Sequence, residues 1–246
     1  MLNTTYFINE IFATVQGEAT FAGTPSIFIR LQGCNVGCPW CDTKHTWSIE
    51  NINGVANPII DNQNKQQLEF NKQFDFRYIL NKTGDDSNWE KITLINLIKY
   101  IETNSELTHI NHVVITGGEP AMYDLMPLCN ALHQLGKTTQ IETSGTENIK
   151  APNSTWVTLS PKFNMPGGKH VLKCSIERAN EIKMPIGKIT DIENLKQFIA
   201  SNHITKPSIW LQPLSQNTTA TKLCIHHAML NNWKLSIQVH KYLNIR

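Results

Sequence analysis

The chain has 246 residues, of which 40% are hydrophobic and 17% are charged, and its formal net charge at neutral pH is +2. This composition is typical of a globular protein, and a charge so close to zero gives no indication of nucleic-acid or membrane binding. The length is enough for one large domain or two small ones. The sequence shows neither a signal peptide at its start nor an apolar run of membrane-spanning length, so we expect a cytoplasmic protein.

The first two segments combine strand-forming residues with polar ones. Residues 6–18 end in Gln16-Gly17-Glu18, where a glycine would let backbone amides approach a ligand, although an ordinary turn explains it as well. Residues 26–32 are rich in β-branched and aromatic side chains, which predicts a buried strand. Arg30 lies inside that apolar run, and a cation on a buried strand needs an anionic partner, either a protein carboxylate or a ligand.

Three cysteines follow this strand in a C-x3-C-x2-C spacing: Cys34, Cys38 and Cys41. A loop of this length can bring three thiolates to one metal centre, and three cysteines leave one iron of a cubane iron–sulfur cluster without a protein ligand. A zinc site with His45 as the fourth ligand is the alternative, but zinc ribbons pair two short knuckles and the sequence has only one. A disulfide is disfavoured because three cysteines leave one over. The spacing therefore favours a cluster.

Residues 50–90 differ from the rest of the chain. They are rich in asparagine, show little periodicity and contain three phenylalanines that could anchor them, at positions 70, 74 and 76. This pattern predicts an insertion of loops and short helices within a single domain that spans residues 1–246. We place no chemistry there.

After the insertion, short apolar strands alternate with helical patterns. The predicted strands are 112–116, 138–142, 155–159, 181–186, 208–212 and 234–239. The predicted helices are 94–101, 123–135, 174–180, 191–201 and 218–231. Such alternation implies parallel strands joined by right-handed crossovers, and there are too few units for a closed eight-unit barrel. We therefore predict an α/β fold, a partial (β/α)6-type barrel.

Polar and glycine-rich clusters come directly after the predicted strands. They occupy residues 33–43, 116–120, 142–145, 160–162 and 212–213. The carboxyl ends of parallel strands share one edge of the sheet, which is where α/β proteins bind their ligands. The sequence therefore predicts an active site at this edge.

The cysteine loop together with Gly117-Gly118-Glu119-Pro120 resembles the radical S-adenosylmethionine superfamily. That resemblance implies a 4Fe–4S cluster whose open iron binds the amino and carboxylate groups of S-adenosylmethionine, with the Gly-Gly-Glu-Pro stretch holding the methionine amino group. Taken end to end, the chain is similar to the 7-carboxy-7-deazaguanine synthase family. The motifs that carry this similarity are Gln16–Glu18, Phe28–Cys34, Cys41–Lys44, Thr116–Pro120, Ile141–Gly145, Ser160–Lys162 and His240–Asn244.

The family resemblance implies a reaction. An electron from the cluster cleaves S-adenosylmethionine, and the resulting radical takes a hydrogen from 6-carboxy-5,6,7,8-tetrahydropterin. The ring contracts, ammonia leaves, and 7-carboxy-7-deazaguanine forms as the cofactor is regenerated, on the route to 7-deazapurines such as queuosine in tRNA. The same resemblance implies Mg²⁺, an electron donor such as flavodoxin, and a homodimer.

The resemblance also implies roles for individual residues. Cys34, Cys38 and Cys41 would hold the cluster, and Thr43 would reach Mg²⁺ as a hard oxygen ligand. The residues expected around S-adenosylmethionine are Trp40, Asp42, Gly118, Glu119, Glu142, Ser144, Ser160, Pro161, Lys162 and Gln212. Those expected around the pterin are Val15, Gln16, Gly17, Glu18, Thr116 and Arg30, the last pairing with the substrate carboxylate. The C-terminal end would close over the substrate.

Simpler roles exist for several of these side chains. Arg30 could form an internal ion pair, Glu142 could cap a strand end and Thr43 could cap a helix. Of the other cysteines, Cys129 falls on an apolar helix face and the remaining two receive no function. Ala19 stands where the resembled family usually has glycine.

Two other functions share part of the pattern. A glycyl-radical activase would have the cysteine loop and Gly117–Pro120 but no need of Gln16–Glu18 or His240. A zinc-stabilised binding module built on the three cysteines and His45 would have no need of polar clusters after the strands.

Overall fold

The computed structural model describes residues 4–49 and 88–245 of the chain. Its strands, in chain order, are β1 (Thr5–Val15), β2 (Pro25–Leu31), β3 (Glu90–Thr93), β4 (His112–Gly117), β5 (Thr138–Thr143), β6 (Trp156–Leu159), β7 (Glu181–Ile186), β8 (Ser208–Pro213) and β9 (Lys234–Leu235). Its helices are α1 (Leu94–Thr103), α2 (Met126–Gln134), α3 (Lys173–Arg178), α4 (Ile189–Ser201), α5 (Thr218–Asn231) and α6 (Val239–Leu243). Short 3₁₀ turns occur at Ala19–Phe21, Lys44–Thr46, Pro120–Met122 and Leu214–Gln216.

The described strands form one sheet in the order β3-β1-β2-β4-β5-β6-β7-β8-β9. Neighbouring strands from β2 to β9 are parallel, as right-handed crossovers require. Strand β1 runs antiparallel to both β2 and β3. Because β3 and β9 are the edges of the sheet in the described ranges, the sheet does not close, and the predicted α/β partial barrel is confirmed.

The strands direct their aliphatic side chains toward the helices. Along β2, Ile27, Ile29 and Leu31 alternate with other residues and are completely buried against α1 and α2. A second apolar cluster packs β7 and β8 against α4 and α5, with Ile182 and Leu195 at its centre. Full burial stabilises the fold by about 1.5–3 kcal/mol for each such side chain.

The opposite face of the sheet is polar, although it is buried. Gln140 Nε2 donates to Thr158 Oγ1 at 2.9 Å, and Thr158 Oγ1 donates to Glu181 Oε1 at 2.7 Å. Thr20, in the turn after β1, donates to Glu181 Oε2 at 2.5 Å, so this turn reaches across to β7. Because these polar groups satisfy one another, they can remain buried inside the barrel.

The helix α5 has the predicted bounds, 218–231, whereas the predicted strand 234–239 is wrong beyond its first two residues. The chain turns instead into α6, because the backbone N–H of Val239 donates to the carbonyl of Gly17 at 3.0 Å. Alternation of apolar residues imitated a strand here. The partner that redirects the backbone lies at the other end of the chain.

Other differences are smaller. The helix predicted over 123–135 begins at Met126, after a 3₁₀ turn, and Asp124 Oδ1 accepts from the Met126 N–H at 3.0 Å. The edge strand β3 begins at the last residue of the predicted insertion, Glu90, and residues 50–87 lie outside the described ranges. None of the described helices has both the length and the hydrophobicity that crossing a membrane demands.

Candidate active site

The cysteine loop leaves the carboxyl end of β2 and is held by backbone hydrogen bonds. The N–H of Gly33 donates to Thr46 O at 2.7 Å, and that of Cys34 donates to Trp47 O at 3.1 Å. Within the loop, Cys41 N donates to Cys38 O at 3.1 Å. All three cysteines border one cavity of about 240 Å³ at the carboxyl edge of the sheet. The strand-end position predicted from the sequence is therefore where the cavity lies.

The Gly-Gly-Glu-Pro turn after β4 packs against this loop without space for side chains. A Cβ on Gly118 would lie 2.1 Å from the carbonyl oxygen of Gly33, and a Cβ on Gly117 would lie 2.3 Å from that of Leu31. The backbone N–H of Glu119 donates to Gly33 O at 2.8 Å. The glycines thus serve first to bring the two loops together.

Glu119 fastens the end of β4 to the end of β5. Its Oε1 accepts from Ala121 N at 3.0 Å and from Thr143 Oγ1 at 2.5 Å. Its Oε2 accepts from Ser144 N at 2.8 Å and from the Ser144 hydroxyl. Only 1% of Glu119 is exposed, so the carboxylate is a buried clamp that also borders the cavity.

An apolar shell surrounds the cysteines on the side away from the sheet. Val36, Cys38 and Met165 are buried together, and Gly167 N donates to Val36 O at 3.1 Å. A Cβ on Gly167 would lie 2.1 Å from the carbonyl oxygen of Asn35, so glycine is required for this contact. Through Met165 and Gly167, the stretch 163–170 forms the outer wall of the cysteine loop.

The three cysteines are buried or partly buried in apolar surroundings. Among the described residues, no three His, Cys, Asp or Glu side chains are arranged to hold a single metal ion. Burial raises the pKa of the Cys38 thiol to about 11, while Lys162 opposes that rise. Burial also raises the pKa of Cys34. These thiols need a bound metal centre to lose their protons, and the apolar shell would restrict water around it.

A second cavity of about 290 Å³ adjoins the first and shares Trp40 and Lys162 with it. Its wall is mainly apolar and includes Pro161 and Phe163. Lys162 Nζ donates to Ser160 Oγ at 2.6 Å, and burial lowers the pKa of this lysine. Trp40 is 46% exposed and stands at the mouth of both cavities.

Opposite the cysteines, two carboxylates share one lysine. Lys183 on β7 donates to Oε2 of Glu18 and, at 2.7 Å, to Oε2 of Glu142. Glu18 Oε1 also accepts from Gln212 Nε2 at 3.1 Å and from Gln238 Nε2 at 2.9 Å. The strand-capping alternative for Glu142 is therefore wrong, because its carboxylate points into the cavity and pairs with the lysine.

The charges in this group stabilise one another. Burial alone would raise the pKa of Glu18, but Lys183 and the amide of Gln238 lower it to about 2. Burial raises the pKa of Glu142. The positive charge of Lys183 opposes this rise, and the negative charge of Glu18 adds to it. Burial would lower the pKa of Lys183, yet the two carboxylates hold it well above its ordinary value. The lysine is therefore charged throughout the physiological pH range.

The C-terminal segment closes the same side of the cavity. A Cβ on Gly17 would lie 2.3 Å from His240 Nδ1 and 2.9 Å from the His240 backbone nitrogen, so α6 rests directly on this glycine. Ser236 Oγ donates to Gln212 Oε1 at 3.0 Å and accepts from Ala19 N at 3.0 Å. The segment after β1 and the segment after β8 are thus held together by side-chain hydrogen bonds and by the backbone hydrogen bond from Val239 to Gly17.

Comparison with known proteins assigns the family. The radical SAM superfamily matches residues 28–154. The 7-carboxy-7-deazaguanine synthases of Escherichia coli and Buchnera aphidicola are 47% and 43% identical to the chain, over 98% of its length and 99% of theirs. The crystal structure of QueE from Escherichia coli matches with a TM-score of 0.78 at 44% identity, covering 95% of this chain and 93% of that one.

The chain belongs to the 7-carboxy-7-deazaguanine synthase family. As a member of the radical SAM superfamily it is an enzyme, and membership implies a 4Fe–4S cluster and S-adenosylmethionine as cofactors. The superfamily match contains all three cysteines and the Gly-Gly-Glu-Pro turn. The family resemblance inferred from the motifs is confirmed.

The structure gathers most of the side chains predicted for this family around the first cavity. Those that line it are Glu18, Cys34, Cys38, Trp40, Cys41, Asp42, Gly118, Glu119, Glu142, Ser144, Ser160, Lys162 and Gln212. Pro161 lines the second cavity. Outside the lining of the first lie Val15, Gln16, Gly17, Arg30, Thr43 and Thr116. The role of each residue stays a prediction.

Two of the outlying residues have partners that bear on those roles. Arg30 Nε donates to Glu10 Oε1 at 2.5 Å, so the protein carboxylate foreseen as one alternative is present. Thr43 makes no capping hydrogen bond to the following 3₁₀ turn. Its hydroxyl lies 3.5 Å from Cys41 Sγ and 3.5 Å from Gly117 O, between the cysteine loop and the end of β4.

Sequence reasoning missed several residues that line the two cavities, among them Met165 in the second cavity and Lys183 and Gln238 in the first. Lys183 carried the same signal as Arg30, a cation within an apolar strand, and could have been found by it. Met165 lies in an irregular segment, and Gln238 occupies a polar position of the wrongly predicted strand 234–239. Only the folded chain shows where they point.

Proposed function

We propose that the chain converts 6-carboxy-5,6,7,8-tetrahydropterin into 7-carboxy-7-deazaguanine with loss of ammonia, as a carbon–nitrogen lyase of queuosine biosynthesis. One observation carries this proposal. A single cavity has three cysteines and the Gly-Gly-Glu-Pro turn on one side, and a group of carboxylates and amides on the other. The first side suits a radical-generating cofactor, and the second suits a ligand rich in N–H donors. The family name of the relatives supports the same product.

Cys34, Cys38 and Cys41 would hold the cluster. S-adenosylmethionine would lie beside them, near Gly118 and Lys162, whose ammonium suits the carboxylate of the methionine. When bound, the cluster and S-adenosylmethionine supply the electron and the radical that remove a hydrogen from the pterin. Ligand pockets usually measure about 300–1,000 Å³, so cofactor and pterin together would occupy both adjoining cavities.

The carboxylate of Glu18 would recognise the pterin. The pyrimidine edge of a pterin presents adjacent N–H donors, and carboxylates accept from such a pair. Lys183 divides its single positive charge between Glu18 and Glu142, so Glu18 keeps enough negative charge to accept hydrogen bonds from the pterin. By resting on Gly17, the segment that contains His240 would keep water from the reacting atoms.

Arg30 and Thr43 would bind the polar groups at the other end of the substrate. Glu10 accepts from Nε of Arg30. We propose the two Nη groups of Arg30 as donors to the substrate carboxylate. Thr116 neighbours Arg30 across the β2–β4 ladder and would contact the same region. The hydroxyl of Thr43 would reach a Mg²⁺ ion that the substrate also contacts, since Mg²⁺ commonly takes few protein ligands.

The remaining features of the proposal concern the whole molecule. One sheet runs from β1 to β9, which supports a single domain. Three clustered thiols suit a reducing compartment, hence the cytoplasm, where a flavodoxin would supply electrons. Met229 and Leu230 on α5 are 79% and 64% exposed and would provide apolar surface for a homodimer.

An anaerobic assay tests the proposal. The protein is reconstituted with iron and sulfide, reduced, and supplied with Mg²⁺, S-adenosylmethionine and 6-carboxytetrahydropterin. We expect 7-carboxy-7-deazaguanine without matching consumption of S-adenosylmethionine, and expect Cys38→Ala to lack both the brown cluster and turnover. The variant Cys174→Ala is the matched control, because Cys174 is exposed on α3 and should keep both. Cleavage of S-adenosylmethionine with no deazaguanine product would contradict the proposed substrate.

A further inference from the structure

Lys183 lines the first cavity, and it pairs with Glu18 and Glu142 and not with the cysteine loop or the Gly-Gly-Glu-Pro turn. It lies in the middle of β7, and its neighbours Ile182 and Met184 face the helices. Its own side chain therefore faces the polar interior, where 5% of the residue is exposed. A lysine in this position must be fully paired, since an unpaired buried ammonium is strongly unfavourable.

The two partners of Lys183 come from distant parts of the chain. Glu18 follows β1, on one side of the opening in the barrel, and Glu142 lies on β5 in the centre of the sheet. Lys183 donates to Oε2 of both, so one ammonium fixes the separation of the two carboxylates. The Oε1 atoms accept hydrogen bonds from side-chain amides instead. Glu18 Oε1 accepts from Gln212 and Gln238, and Glu142 Oε1 accepts from Gln140 at 3.0 Å.

The two carboxylates belong to different halves of the proposed site. Glu18 is expected to face the pterin, and Glu142 is expected to face S-adenosylmethionine. Radical transfer between two ligands requires the reacting atoms to be held within van der Waals contact, and a displacement of about 1 Å can cost a hundredfold in rate. A group bonded to both acceptors controls that distance.

We propose that Lys183 is a positioning residue that couples the pterin site to the S-adenosylmethionine site by holding Glu18 and Glu142 in register. The inference rests on the proposed function and adds to it a determinant of coupling. With Lys183 in place, hydrogen abstraction from the pterin follows cleavage of S-adenosylmethionine. Without its charge, the two carboxylates repel each other and the ligands they hold move apart.

The test measures coupling rather than activity alone. In Lys183→Gln, which keeps an N–H donor but loses the charge, we expect KM for the pterin to rise about 10- to 100-fold, since the charge-assisted hydrogen bonds from the ammonium to the two carboxylates are lost. We also expect more 5′-deoxyadenosine released per 7-carboxy-7-deazaguanine formed. Lys183→Arg, which retains the charge with a different geometry, should lie between wild type and Lys183→Gln in both quantities.

The control is a second buried lysine away from the cavity. Lys137 Nζ donates to three backbone carbonyls, those of Leu107, Thr108 and Ile110, near the opposite end of β5. Lys137→Gln should lower the melting temperature without changing the ratio of 5′-deoxyadenosine to product. A structural role alone would make the two glutamine variants alike in this ratio.

The outcomes separate this inference from the proposed function. A wild-type enzyme that makes no 7-carboxy-7-deazaguanine would remove the proposed function. A productive wild type, with a folded Lys183→Gln variant of unchanged KM and unchanged ratio, would overturn the coupling role alone. Should Lys183→Gln fail to fold, as judged from its melting curve, wild-type KM and ratio in Lys183→Arg would overturn it instead.

Discussion

The buried carboxylate of Glu119 offers a stringent test of how the site is assembled. It accepts from two backbone N–H groups, those of Ala121 and Ser144, and from the hydroxyls of Thr143 and Ser144. The change Glu119→Gln keeps the shape but replaces one oxygen with an NH₂ group. A hydroxyl can rotate to accept from that group, whereas a backbone N–H cannot.

The magnitude follows from counting what is lost. Whichever way the glutamine amide is turned, one backbone donor, at 3.0 Å or 2.8 Å in the wild type, loses its acceptor and faces another donor. A hydrogen bond to a charged group contributes about 1.5–3 kcal/mol, and an unsatisfied buried group adds to that loss. We expect Glu119→Gln to lower the free energy of unfolding by about 2–4 kcal/mol. For a chain of this length, that corresponds to a fall of about 4–16 °C in melting temperature.

Urea unfolding of the cluster-free protein under reducing conditions measures this loss directly. Glu147→Gln is the matched control, because Glu147 accepts from Asn35 Nδ2 at 2.8 Å and from Lys169 Nζ at 3.1 Å, with a side chain that is 28% exposed. Such a partly exposed pair contributes about 0–1 kcal/mol. A Glu119→Gln variant as stable as Glu147→Gln would refute the clamp and assign Glu119 to ligand binding alone.

Three further predictions follow from single features of the site. Gly17→Ala should displace α6 because the new methyl meets His240, so KM for the pterin should rise while S-adenosylmethionine is still cleaved; steady-state kinetics with an unchanged KM would contradict this packing. Thr43→Ala should abolish the response of turnover to Mg²⁺, and Thr43→Ser should retain it; an unaltered Mg²⁺ titration in Thr43→Ala would exclude the ligand role. The pKa of Glu18 is lowered to about 2, so its ion pair with Lys183 stabilises the fold above the ordinary value of 4.5 and is lost as pH falls from there toward 2. Urea unfolding over that pH range should therefore show a weaker loss of stability in Glu18→Gln, and equal slopes would argue against the pair.

Local pattern was sufficient for the elements whose partners are near in sequence. The parallel strands β4, β5, β7 and β8 and the helix α5 all appeared where periodicity indicated, because each buries one regular face against its neighbours. The antiparallel pairing of β1 and β3 was not predictable in this way, since β3 comes more than seventy residues after β1. The C-terminal helix α6 was missed for the same reason, because its position depends on Gly17.

The residues of the site also divide into those that local sequence pattern identifies and those that depend on a distant partner. The spacing of Cys34, Cys38 and Cys41 was enough to identify them as site residues, and all three line one cavity in the structure. Gln238 gave no signal, because a glutamine at a polar position of the predicted strand 234–239 resembles any surface residue. Gln238 donates a hydrogen bond to Glu18, and this role becomes visible only when the fold brings the two residues together.

The opening of the barrel has a consequence for how new specificities arise. The superfamily match ends at residue 154, and the contacts that close the opening come from Glu18 on one side and from Gln212, Ser236 and Gln238 on the other, all outside the matched span. These contacts are therefore encoded outside the stretch that carries the cysteine loop and the Gly-Gly-Glu-Pro turn. Mutations can change them without altering either of those two motifs.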